Sequence, residues 1–76
     1  MAYAGKGEYN EAIADFIRSI SLNPRFVKPY YNRGLAYVKT GDKSKAISDF
    51  YMVLQLSHLP DTLQKAQDQL NLLNAK

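Results

Sequence analysis

The sequence predicts an all-α protein built from antiparallel helix–turn–helix repeats, and three observations support this fold class. The chain repeats itself with a period of 34 residues. Its apolar residues recur every three or four positions, as on one face of a helix. Proline and glycine interrupt these runs at intervals that suit short turns. No segment alternates apolar and polar residues in the way that predicts a β-strand.

The internal repeat is visible when residues 1–26 are aligned with residues 35–60. Eight of the 26 aligned pairs are identical. They are Ala2/Ala36, Tyr3/Tyr37, Gly7/Gly41, Ala12/Ala46, Ile13/Ile47, Asp15/Asp49, Phe16/Phe50 and Leu22/Leu56. A unit of this length is one supersecondary element that buries its apolar face only by stacking on its neighbours.

The first two helices are predicted over residues 9–22 and 27–40. The Asn23-Pro24 pair ends the first helix, because proline disfavours helical geometry in the residue before it. Pro29 is compatible with the second helix since it stands in the first turn, where its missing N–H has no intrahelical partner.

A turn and two further helices complete the predicted fold. Gly41 is expected in the left-handed conformation just after the second helix, and Asp42 is expected to cap the third. The third helix is predicted over about 43–57, and Pro60 opens a fourth. The fourth helix has its apolar residues on one face, at Leu63, Ala66, Leu70 and Leu73.

Length and composition indicate one small domain. The chain has 76 residues, 46% of them hydrophobic, which is too apolar for a disordered tail. It has no cysteine, so neither disulfides nor thiolate metal sites can stabilise it. We therefore expect stability to come from helix packing, from self-association, or from both.

The charge is positive and unevenly placed. The net charge is +3, and six of the ten basic residues lie between positions 25 and 45, where Asp42 is the one acidic residue. This pattern favours an acidic partner or an anionic peptide terminus. The alternative interpretation is an ordinary solvated helix face.

Membrane, nucleic-acid and secretory functions are not expected. No apolar run approaches the roughly 20 residues that cross a bilayer. The first residues lack the apolar stretch of a signal peptide, so an intracellular, cytoplasmic protein is the default expectation. The charge is modest and no nucleic-acid-binding motif is present.

The sequence offers little for catalysis. His58 is the only histidine, and the acidic residues are spread along predicted helix exteriors. The Gly5-Lys6-Gly7 segment lacks the pattern of a phosphate-binding loop. We therefore expect no enzymatic activity, no cofactor and no metal site.

The residues at the repeat landmarks resemble the tetratricopeptide repeat. Over 27–60 these landmarks are Tyr30, Gly34-Leu35-Ala36-Tyr37, Gly41-Asp42, Ala46 and Phe50. The resemblance implies a truncated first repeat at 1–26, a complete repeat at 27–60 and a capping helix at 61–76. It also implies a fragment of a right-handed superhelical solenoid that serves as a protein–protein interaction module.

In this family the first helix of each repeat faces the concave surface of the solenoid and contacts extended peptides. The resemblance therefore implies a peptide-binding groove formed by Lys28, Tyr31, Asn32, Leu35, Val38 and Lys39. The implied partner is a protein or peptide that is acidic or has a free carboxylate.

The truncated first repeat leads to a second expectation. A helix over 9–22 without its usual leading helix exposes apolar side chains, at a cost of roughly 1.5–3 kcal/mol each. We expect homo-oligomerisation through a face formed by Ile13, Phe16, Ile17 and Ile20, either by stacking or by helix exchange. Two alternatives stay open: a self-assembly unit without a separate ligand, and a fragment of a longer array.

Overall fold

The computed structural model of the protein describes residues 6–74, and these residues form four helices. The helices are α1 Lys6–Leu22, α2 Val27–Thr40, α3 Lys43–Leu56 and α4 Pro60–Asn74, with no strand in this part of the chain. The all-α prediction is confirmed. α1 begins three residues before the predicted position 9, and residues 1–5 of the predicted truncated repeat lie outside the described residues.

The helices pack in chain order, because short turns keep consecutive helices adjacent. α2 packs against both α1 and α3, and α4 packs against α3. The core cluster draws on α2, α3 and α4, with Tyr30, Ala46, Phe50, Val53, Ala66 and Leu70 at its centre. None of the described helices is both long enough and apolar enough to span a membrane.

α2 crosses α3 closely at Gly34. A Cβ atom added there would come within 2.8 Å of Cε1 and 2.9 Å of Cζ of Phe50. Beside this crossing, the guanidinium of Arg33 donates two hydrogen bonds to the carboxylate of Asp49, at 2.8 Å from Nε and 2.7 Å from Nη2. The glycine and the ion pair together fix how α2 lies on α3.

The turn after α2 has the geometry of a Schellman motif. Gly41 has φ 88°, its N–H donates to the carbonyl of Val38, and the N–H of Asp42 donates to the carbonyl of Tyr37. The left-handed conformation predicted for Gly41 is therefore confirmed. It lets the chain reverse within two residues and begin α3.

The predicted role of the Asp42 side chain as a helix cap is wrong. Asp42 stands at the N-cap position of α3, but its side chain makes no capping hydrogen bond. With φ −89° and ψ 71° the residue is outside the extended conformation that aims a side chain at the first-turn N–H groups. Its carboxylate instead accepts a hydrogen bond from the hydroxyl of Thr40 at 3.1 Å.

Candidate functional site

An open groove with a volume of about 790 Å³ lies between the N-terminal halves of α2 and α4. We call it the α2/α4 groove. It is lined by Asn23, Arg25, Phe26, Val27, Lys28, Tyr31, Asn32, Leu56, Ser57, His58, Leu59, Thr62 and Lys65. The two turns before α2 and α4 contribute several of these residues.

Helical spacing explains which side chains face this groove. Lys28, Tyr31 and Asn32 are three and four residues apart, so they share one face of α2. Thr62 and Lys65 on α4 stand 34 residues after Lys28 and Tyr31. Equivalent positions of the 34-residue repeat therefore line both sides of the groove.

The groove is positively charged. Arg25, Lys28 and Lys65 line it together with His58, and none of its lining residues is acidic. Arg33 does not add to this charge, because its guanidinium is held by Asp49. A cleft lined by charges of one sign attracts and concentrates ligands of the opposite sign.

Apolar side chains border the same groove. Phe26 is 46% exposed and Leu59 is 65% exposed, and each belongs to one of the two turns that line the groove. The ring of Tyr31 meets the ring of Phe50 edge-on, with centroids 5.6 Å apart and planes at 61°. Tyr31 is therefore held by the core on one side while it faces the groove on the other.

A second, smaller groove of about 260 Å³ lies between α1 and α2. We call it the α1/α2 groove. It is lined by Tyr9, Ala12, Phe16, Asn32, Leu35, Ala36 and Lys39. Asn32 belongs to both grooves, since its side chain lies on the ridge of α2 that separates them.

The structure divides the peptide-binding residues expected from the sequence. Lys28, Tyr31 and Asn32 line the α2/α4 groove, whereas Leu35 and Lys39 line the α1/α2 groove. Val38 lines neither groove and packs against the core cluster. The six residues therefore do not all line the same groove.

The expected self-association residues are also divided. Ile13 is buried within the chain, and Ile20 packs against the core cluster. Phe16 is half-buried in the α1/α2 groove, and Ile17 is 46% exposed. Phe16 and Ile17 are thus the members of this set that another chain can reach without unfolding α1.

Sequence reasoning missed the contribution of the turns and of α4. Arg25, Phe26, His58, Thr62 and Lys65 line the α2/α4 groove, but none was in the expected set. A signal for the two α4 residues was present, because extending the 34-residue period from Lys28 and Tyr31 reaches them. No comparable sequence signal places the turn residues.

The chemistry of these grooves is that of a binding surface. Cations, an amide and apolar rings can hold a carboxylate, a peptide backbone and an apolar side chain, respectively. Among residues 6–74 no group of three histidine or acidic side chains is placed to hold a metal ion.

Comparisons with protein families agree with the repeat geometry. Residues 2–41 match a family model described as TPR repeat, and residues 27–57 match one described as tetratricopeptide repeat. These matches cover α1, α2 and α3 as the structure places them. Comparisons with curated proteins and with solved structures give no significant match.

Proposed function

The chain belongs to the tetratricopeptide repeat family, whose repeats are generally protein–protein interaction modules, and from this premise we propose that it binds an acidic peptide segment of a partner protein in the α2/α4 groove. One observation carries the proposal: three cationic side chains and two exposed apolar ones line the same groove, which contains no acidic side chain. In this proposal 27–60 is the complete repeat and α4 closes it.

A carboxylate of the peptide binds near Lys28 and Lys65, which approach the groove from opposite helices. The Asn32 amide, which has both donors and an acceptor, pairs with the peptide backbone. An apolar side chain next to the carboxylate rests against Phe26 and Leu59. Such a peptide combines charge complementarity with the burial of apolar surface.

The test uses paired synthetic peptides. A set of eight-residue peptides ending in an apolar residue is made with free C-terminal carboxylates and, for each sequence, with a C-terminal amide. Fluorescence anisotropy measures the dissociation constant of each member of a pair. We expect acidic free-acid peptides to bind at least about tenfold more tightly than their amides, because a charge-assisted contact contributes about 1.5–3 kcal/mol.

A matched pair of variants locates the binding. Lys65→Ala removes a groove cation, whereas Lys43→Ala removes an exposed cation of α3 that lines neither groove. Lys65→Ala should weaken binding and Lys43→Ala should leave it unchanged. Equal binding of free acids and amides, or equal effects of the two variants, would show that the α2/α4 groove is not the carboxylate site.

Self-association is the second candidate function, and the exposed side chain of Ile17 favours it. An aliphatic side chain on a partly covered helix face gains free energy when a second copy covers it. Light-scattering chromatography over a range of concentrations tests this candidate. A mass that stays monomeric at high concentration, with cooperative unfolding, would exclude it.

A further inference from the structure

The two turns that line the α2/α4 groove stand at equivalent positions of the 34-residue repeat, since Asn23 begins one and Ser57 the other. Each turn contains the same kind of hydrogen bond. The N–H of Arg25 donates to Oδ1 of Asn23 at 3.2 Å. The N–H of Leu59 donates to Oγ of Ser57, also at 3.2 Å. In both turns a side chain therefore accepts from the backbone two residues later, as in Asx and ST turns.

A further hydrogen bond connects the turn before α2 to the core. The hydroxyl of Tyr30 donates to the carbonyl of Pro24 at 2.9 Å. Tyr30 is 7% exposed and belongs to the core cluster, and the guanidinium of Arg33 lies over its ring. Because the ring of Pro24 already fixes its φ angle, a bond to its carbonyl leaves this part of the turn little freedom. The turn that carries Arg25 and Phe26 is therefore held against α2.

The turn before α4 differs at the two positions that form this bond. One period later, Gln64 stands in the place of Tyr30 and His58 in the place of Pro24. Gln64 is exposed, and its side-chain amide donates to Oδ1 of Asp68 on the same helix, at 2.8 Å. Among the described residues, the turn before α4 therefore has no counterpart of the bond between Tyr30 and Pro24.

We propose that Tyr30 is a positioning residue of the α2/α4 groove, and that the turn it holds makes the groove selective for a peptide with a large apolar residue, such as leucine, at its carboxylate end. This inference rests on the proposed function. Phe26 is held in place before the ligand binds, so its ring meets an apolar side chain at little cost in conformational entropy. Leu59 lies on the turn without this bond and has more freedom to lose when it makes the same contact. The selectivity therefore comes mainly from Phe26.

Two eight-residue peptides test the selectivity. Both consist of glutamate and serine residues, one with leucine and the other with alanine as the last residue, and each is made as the free acid and as the C-terminal amide. Fluorescence anisotropy gives the dissociation constants. The wild-type protein should prefer the leucine peptide by at least about fivefold, because more apolar surface leaves water. Tyr30→Phe should lower that preference about threefold, since the turn must then be ordered on binding.

The preference for the free acid over the amide should respond differently. It depends on Lys28 and Lys65, which lie on helices and not on the turn that Tyr30 holds. In Tyr30→Phe it should therefore stay within about twofold of its wild-type value, as expected for independent sites. A general loss of stability would weaken all four peptides alike, so the two preferences separate positioning from folding.

Tyr37→Phe is the matched control. The guanidinium of Arg33 lies over the rings of both tyrosines, but Tyr37 lines neither groove. This variant should leave the leucine preference unchanged. In a Phe26→Ala background, Tyr30→Phe should have no further effect on the preference, because the side chain that it positions is gone. Circular dichroism confirms that each variant is folded.

A second measurement needs no ligand. In nitrogen-15 relaxation of the wild-type protein, the amides of Arg25 and Phe26 should have the order parameter of rigid backbone, about 0.85, and those of His58 and Leu59 should be lower. Tyr30→Phe should lower the values of Arg25 and Phe26 toward about 0.6, whereas Tyr37→Phe should not.

The two measurements distinguish the ways in which the inference can fail. Order parameters that Tyr30→Phe leaves unchanged would overturn the role of Tyr30, whatever the peptides do. Lowered order parameters with an unchanged leucine preference would overturn the selectivity but leave the acidic-peptide site intact. Equal binding of free acids and amides to the wild-type protein would contradict the proposed function and the selectivity with it, and the order parameters would then still decide whether Tyr30 holds the turn.

Discussion

Arg33 and Asp49 form a salt bridge whose two ends differ in exposure, since the side chain of Arg33 is 20% exposed and that of Asp49 only 4%. The guanidinium also lies over the rings of Tyr30 and Tyr37, at 5.8 and 5.7 Å from their centroids. The hydrogen bonds to Asp49 raise the pKa of Arg33 above its ordinary value. A raised folded-state pKa gives stability that is lost only as the pH rises through it, so Arg33 remains charged at neutral pH.

The unequal exposure predicts unequal mutant effects. Arg33→Ala leaves the carboxylate of Asp49 buried without its partner and should cost about 3–5 kcal/mol of unfolding free energy. Asp49→Ala leaves the Arg33 guanidinium without its partner, but the guanidinium can reach water and still lies over the rings of Tyr30 and Tyr37. We therefore expect about half the loss of unfolding free energy. Urea denaturation followed by circular dichroism measures both. Equal losses would contradict the assignment of Asp49 as the buried end.

The crossing of α2 and α3 predicts that Gly34→Ala destabilises the protein. Alanine gains about 0.5–1 kcal/mol over glycine in a helix, but overpacking a core costs about 1–3 kcal/mol. The Cβ atom would meet a fully buried ring, so the second effect should win, with a net loss of about 1 kcal/mol. The same substitution made together with Phe50→Leu should cost less, because the ring that it strikes is gone. Denaturation of all four proteins of this cycle checks the coupling.

Gly41 and Gly7 form a matched pair, because a Cβ atom added at either would have no atom within 4 Å. Gly41→Ala should lower the unfolding free energy by about 1–2 kcal/mol, since φ 88° is strained for any residue with a Cβ atom. Gly7→Ala lies in a helix with ordinary geometry and should raise stability by about 0.5 kcal/mol. Thermal unfolding of the two variants should therefore shift in opposite directions. Shifts of the same sign would mean that the turn after α2 tolerates other conformations.

The α2/α4 groove predicts the behaviour of the double variant Lys28→Ala with Asn32→Ala. Both side chains line the groove and neither belongs to the core cluster, so binding of an acidic peptide should weaken by about tenfold or more while stability hardly changes. Anisotropy titrations measure the affinity, and light scattering confirms an unchanged mass. Wild-type affinity in this variant would show that the groove has been assigned to the wrong residues.

The same groove predicts a salt dependence. Because the attraction between its cations and a peptide carboxylate is screened by ions, affinity should fall several-fold as the ionic strength rises from about 0.05 to 0.5 M. A peptide of the same length without acidic groups should show little change. Titrations at several salt concentrations give the slope, and a flat response for the acidic peptide would indicate purely apolar binding.

Most of the helix boundaries could be predicted from the sequence because their signals are local. Pro24, Gly41 and Pro60 each act within a residue or two of the boundary that they mark. The geometry of the Asp42 cap could not be predicted, because it depends on a ψ angle set by the preceding turn. The pairing of Arg33 with Asp49 was not predicted either, since it joins residues sixteen positions apart on different helices.

The candidate site was only partly predictable, because α2 lies between two neighbouring helices and its residues line two grooves. α2 contacts a helix on each side and lines a groove with each of α1 and α4, so the residues that we expected in one groove are divided between two. Ile13 illustrates the same effect on α1, since it is buried, while Ile17 one turn later is exposed. Helical spacing shows that residues share a face but does not show which neighbour covers that face.

The chain contains six tyrosines and no tryptophan, so its near-ultraviolet emission comes from tyrosine alone. Tyr31 lies in the α2/α4 groove, and Tyr9 lies in the α1/α2 groove. Each groove therefore has its own intrinsic fluorophore. A ligand without aromatic groups changes the surroundings of Tyr31 when it enters the α2/α4 groove and those of Tyr9 when it enters the α1/α2 groove. Tyr31→Phe removes the fluorescence signal of the first groove, and Tyr9→Phe removes that of the second.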